Sequence, residues 1–163
     1  MRKSIAVIAG VLMLAAVNLN IWQREQLLTD GRVVLLELAP VDPRSLMQGD
    51  YMALRFQVAN DAFVQGDMRN QKDGHIVVKV DERGVGQFKR FADASPLAAD
   101  EVLMRYRIRN NQPKFATNAF FFQEGTAQKF EVAKYGEFRV AKNGDMILTA
   151  MRDEALRTIG GGR

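Results

Sequence analysis

Three stretches in which apolar and polar side chains alternate residue by residue constrain this chain more than anything else in it. Met52, Leu54, Phe56 and Val58 alternate with Tyr51, Ala53, Arg55 and Gln57. Ile76, Val78 and Val80 alternate with His75, Val77 and Lys79, and Val102, Met104, Tyr106 and Ile108 with Leu103, Arg105, Arg107 and Arg109. A period of two puts successive side chains on opposite faces of extended backbone, so each run predicts a half-buried strand. Shorter runs fit around them at 33–38, 86–91, 114–122, 136–141 and 146–151. Turn signals separate the runs: Glu82-Arg83-Gly84-Val85, Asn110-Asn111-Gln112-Pro113 and Asn143-Gly144, the last a type I′ hairpin pair. Short helices are expected near 62–70 and from Thr126 to Lys134. The sum is a mainly β domain, a small antiparallel barrel or sandwich of about 7–8 strands with short helical inserts.

The stretch before the first strand is a tight turn. Proline fixes its own φ and drives the preceding residue out of the α region. Asp42-Pro43 therefore reads as a helix N-cap with proline in the first helical position. Arg44 to Gln48 complete one or two helical turns, and Gly49 takes the left-handed position that ends them. The Asp50 carboxylate is placed to accept backbone N–H bonds of the turn. Tyr51 is either the first residue of a second packed face or an exposed aromatic at a contact site.

Gly49-Asp50-Tyr51-x-x-Leu54-x-Phe56 resembles the signature of the bacterial GDYXXLXY family, with Phe56 where the name has tyrosine. The preceding Asp42-Pro43-Arg44-Ser45 and the Asn143-Gly144 hairpin are similar to that family as well, over residues 33–152. The resemblance implies an envelope protein with one N-terminal membrane segment, encoded beside multi-pass membrane proteins, and implies no reaction.

The N-terminus fits that context. After Met1-Arg2-Lys3, residues 5–17 contain no polar side chain, and the apolar run continues past Asn18 and Asn20 to Trp22. A spanning helix needs about 20 mostly apolar residues. Leu14-Ala15-Ala16 lacks the small-x-small pattern of a cleavage site, which favours an uncleaved anchor over a secretory signal. Basic residues before the run place the N-terminus in the cytoplasm, and Trp22 marks an interface. The expected organisation is a start and transmembrane anchor at 1–22, a polar link at 23–32, an extracytoplasmic β domain at 33–152 and a flexible tail at 153–163. The main domain then lies in the periplasm of a cell with two membranes.

The residue inventory narrows the chemistry. The chain of 163 residues has a net charge of +4, but Arg2 and Lys3 precede the anchor, so the folded part is near neutral and predicts no nucleic-acid partner. With no cysteine there are no disulfides, thiolate metal sites or cysteine nucleophiles. His75 is the lone histidine and reads as a polar residue at a strand start, so no metal and no cofactor are expected. Residues 45–50 are faintly similar to a stretch of membrane-anchored signal peptidases, but the position of their nucleophile is Val41 here. A hydrolase using Ser45 and a lysine base is one alternative reading. Binding of a lipid or small apolar ligand inside the barrel is another. The preferred expectation is a non-enzymatic binding or assembly module for another inner-membrane protein. Its candidate contact residues are Asp42, Pro43, Arg44, Gly49, Asp50, Tyr51, Leu54 and Phe56. Arg55, Arg105, Arg107 and Arg109 form a candidate anionic contact, for lipid headgroups or an acidic partner surface. One of Phe120, Phe121 and Phe122 must point away from the core, offering an apolar patch.

Overall fold

The computed structural model describes residues 2–39, 47–48, 51–63, 72–117 and 119–160, with backbone alone for 2–7 and 47–48. Among these residues the chain is mainly β: curled antiparallel sheets, each a half-barrel, with short helices. It opens with helix α1 (Arg2–Asp30). There follow β1 (Arg32–Glu37), β2 (Met47–Gln48), β3 (Tyr51–Ala53), α2 (Gln57–Ala62), β4 (Gly74–Val80), β5 (Gly86–Phe91) and β6 (Glu101–Arg109). The remainder is β7 (Gln112–Phe115), β8 (Ala119–Phe121), α3 (Ala127–Phe130), β9 (Tyr135–Val140), β10 (Met146–Arg152) and β11 (Thr158–Ile159).

The strands form three sheets, ordered β1-β9-β10-β11, β2-β3-β8 and β5-β4-β6-β7. Single contacts stitch them together. A Leu35–Val85 bridge joins the two four-stranded sheets, and a Leu38–Phe56 bridge ties the end of β1 to the motif stretch. The Arg105 N–H donates to the Gly144 carbonyl at 2.9 Å, fixing β6 to the tip of the β9–β10 hairpin. Phe56, Phe115, Phe138, Leu54, Met104 and Met151 fill the interior between the sheets.

Two hairpins explain the register. Asn110 (φ 51°) and Asn111 (φ 58°) form a two-residue turn of type I′ between the paired residues Arg109 and Gln112. At Asn143-Gly144, where type I′ was the expectation, only Gly144 has positive φ. There Gly144 N–H donates to Ala141 and Ala141 N–H to Asp145, a three-residue loop closed by a glycine bulge.

Three further expectations are corrected. The first alternating run is a strand only over β3, and Gln57 and Val58 begin α2 instead. Its inward residues are nonetheless Met52, Leu54, Phe56 and Val58, because the first helical turn carries Val58 to the same core. The run at 114–122 is two strands in different sheets, broken where Ala116 takes φ 31° and the Thr117 hydroxyl bonds the Ala119 backbone. Residues 153–159 of the expected tail fold back as β11 on β10. Among the described residues no helix is long and apolar enough to cross a membrane. Past Trp22, α1 continues through the polar Gln23-Arg24-Glu25-Gln26. The helix expected at 62–70 falls mostly outside the described residues.

Candidate functional site

The motif strand β3 lies between β2 and β8, with Tyr51 opposite Phe121, Met52 opposite Phe120 and Ala53 opposite Ala119. Alternation splits its residues into two jobs. Leu54 and Phe56 are each 2% exposed, so these two candidate contact residues lie in the core. Tyr51 sits half-buried on the other face, its ring 5.8 Å from that of Phe121 and tilted at 42°. Asp42, Pro43, Arg44, Gly49, Asp50 and Ser45 lie outside the described residues.

Phe121 is 74% exposed, the outward residue of β8. Its neighbours go inward: the rings of Phe120 and Phe122 each lie 5.2 Å from Phe130, the first tilted and the second stacked. The polypeptide thus holds one ring out while burying the two beside it, and the outward ring lies against the motif tyrosine.

The four arginines do not form one site. Arg105 pairs with Asp145 at 3.0 Å. Arg109 grips Asp73 with both terminal nitrogens, at 3.1 and 3.2 Å, while the Ile108 N–H donates to the same carboxylate at 2.8 Å. That backbone N–H, with the guanidinium second, holds the Asp73 carboxyl below its ordinary range. Arg107 is exposed and stands directly across the strand pair from Lys114. Arg55 is on no shared sheet face; it lines a small cleft of about 150 Å³ with Asn60, Gln112 and Pro113.

Two buried carboxylates escaped sequence reasoning. Glu101 receives the Lys89 ammonium and the Ala98 N–H. Glu137, on the central strand β9, receives the Arg152 guanidinium and the Thr149 hydroxyl. Both are satisfied structural pairs of the kind that buried charge requires. The signal available was an acid inside a strand pattern, at 101 before Val102 and at 137 between Gly136 and Phe138.

Other chemistry is sparse. Among the described residues no three His, Asp or Glu side chains stand close enough to hold a metal ion. His75 is half-buried against Gly144 at the hairpin tip. An open groove of about 1230 Å³ lies between the end of α1 and the β9–β10 hairpin, lined in part by Trp22, Leu27, Leu97, Leu103 and Lys142. What the arrangement offers is surface: an aromatic pair on one sheet and a cationic hairpin on another.

No curated protein and no solved structure matches the chain. The GDYXXLXY protein family matches it over residues 13–151, from within α1 to the end of β10. With the signature Gly49-Asp50-Tyr51 leading into β3 and Leu54 and Phe56 in the core, this chain belongs to the GDYXXLXY protein family.

Proposed function

We propose that this protein is a membrane-tethered, non-enzymatic contact module whose β body stands outside the cytosol and docks another envelope membrane protein. The single observation that carries the contact is Phe121, held out at 74% exposure beside Tyr51 of the motif while Phe120 and Phe122 are packed away. A large apolar ring left in water next to an amphipathic one is the composition of an interface anchor.

The tether rests on the sequence of residues 5–22 and on the state of α1. Ile8, Val11, Leu12, Met13, Leu14 and Val17 are exposed on that helix, with no β-strand covering them. With Ile5, Ala6 and Val7 added from the sequence, the apolar run reaches bilayer length. Arg2 and Lys3 orient it with the N-terminus in the cytoplasm.

The interior-ligand reading has less behind it, because the interior is filled by aromatic and aliphatic side chains.

The test is co-purification from mild detergent with and without Phe121→Ser. The reading expects a membrane partner recovered by the wild type and lost with the variant. Equal recovery by both, or a wild-type chain found in the soluble fraction after carbonate washing, overturns it.

A further inference from the structure

We propose that the outward face of the β6–β7 hairpin, centred on Arg107 and Lys114, binds an acidic stretch of polypeptide. The argument starts from register. Arg107 is paired with Lys114 directly across the two strands, and both side chains are exposed. Like charges directly opposite each other in an antiparallel pair repel and weaken the sheet. Nearby acids relieve them only in part: Asp73 attracts Arg107 through space but makes no ion pair with it. Asp73 is engaged by Arg109 and the Ile108 N–H, and Asp145 by Arg105 and Asn143. Among the described residues no carboxylate forms an ion pair with Arg107 or Lys114.

Lys114 and Pro113 have a plain use at the edge of the sheet, since β7 is its last strand and both residue types discourage edge pairing. That use does not explain an arginine placed opposite the lysine, where a glutamate would guard the edge and stabilise the pair as well.

The layout favours an extended acidic chain over other anions. Cross-strand neighbours stand about 5 Å apart, so two carboxylates of one acidic segment can reach Arg107 and Lys114 together, while Arg105 and Arg109 stay with Asp145 and Asp73. The aromatic residues of this hairpin, Tyr106 and Phe115, are buried, so no ring is offered for stacking a base. Neither Arg107 nor Lys114 lines the groove beside α1, which carries Trp22.

The experiment uses the full chain in neutral detergent and a fluorescent ten-residue glutamate-rich peptide, with a glutamine-rich peptide as control, read by anisotropy. Lys114→Glu is the informative variant, because it converts the repelling pair into an attracting one. The expected result is binding of the acidic peptide alone, roughly tenfold weaker with Lys114→Glu, with a melting temperature raised by about 3 °C. Phe121→Ser should bind the acidic peptide like the wild type, so failure here is distinguishable from failure of the Phe121 contact. Any of three results overturns the proposal: no selective binding of the acidic peptide, equal affinity with Lys114→Glu, or a lower melting temperature for that variant, which would make the pair structural. Flotation with anionic vesicles closes the remaining route. Capture of vesicles through Lys114 without binding of the peptide overturns it in favour of lipid headgroups.

Discussion

Phe56 meets Phe138 edge to face, ring centroids 5.2 Å apart and planes at 72°, and the same Phe56 ring lies over Gly136, where an added Cβ would come within 3.0 Å of it. The last motif residue therefore joins the motif stretch to the central strand of the β1-β9-β10-β11 sheet, and it does so only because that strand is bare at 136. Phe56→Ala is expected to destabilise the protein by about 3–5 kcal/mol through the cavity it leaves. Gly136→Ala should cost about 1–3 kcal/mol by overpacking against Phe56, Leu148 and Phe138. Urea denaturation midpoints check both.

Phe121→Ser should leave stability within about 0.5 kcal/mol of the wild type, since the ring is exposed and supports little of the core. A thermal melt beside the co-purification shows whether any loss of partner is a loss of contact and not of fold.

Glu101 governs part of the acid response. The Lys89 ammonium, and then the Ala98 N–H, hold its carboxyl below the ordinary range. In the unfolded chain it takes up a proton near pH 4, and in the folded protein only at lower pH. The unfolded state therefore binds more protons in that interval. Stability is complete above the unfolded value and is lost as pH falls through the lower folded value. Melting temperature should be flat near neutrality and fall in acid. Glu101→Gln should lower it at neutral pH and make the acid fall shallower.

Two hairpin loops of one shape place different residues at the same left-handed position. Gly144 occupies the left-handed site of its loop at φ 87°, and Leu156 occupies the equivalent site of the loop from Asp153 to Arg157 at φ 62°. Gly144→Ala adds left-handed strain and a Cβ 2.9 Å from the His75 ring, and should cost about 1–2 kcal/mol. Leu156→Gly relieves strain of about 1 kcal/mol and gives up a similar amount of apolar burial, so its net effect should be near zero. Chemical denaturation of the two variants side by side separates these outcomes.

The faces of the strands were legible because burial follows alternation whatever the backbone does afterwards. Val58 is inward even though it sits in α2, and Tyr106 is inward in β6 as its period requires. The break at Ala116 was not legible, since alanine rarely takes positive φ and its neighbours read as one aromatic-rich strand. Nor was the fold-back of residues 153–159, whose turn carries leucine where a sequence signal would be glycine. Phe121 was legible as one of three adjacent rings that cannot all be buried, but which ring stays out depends on Phe130, several residues further on. The carboxylates at 101 and 137 depend on partners 12 and 15 residues away in sequence, a proximity created only by strand pairing.

Leu156 has a consequence for how the molecule comes together and apart. Its backbone conformation is unfavourable in isolation, and its side chain packs against Leu35, Val85 and Tyr135. Those three come from β1, the β4–β5 turn and β9, so the seat of Leu156 exists only where these segments are together. The C-terminal arm is thus keyed to the seam where the two large sheets meet at Leu35 and Val85, and any change that opens that seam removes its seat.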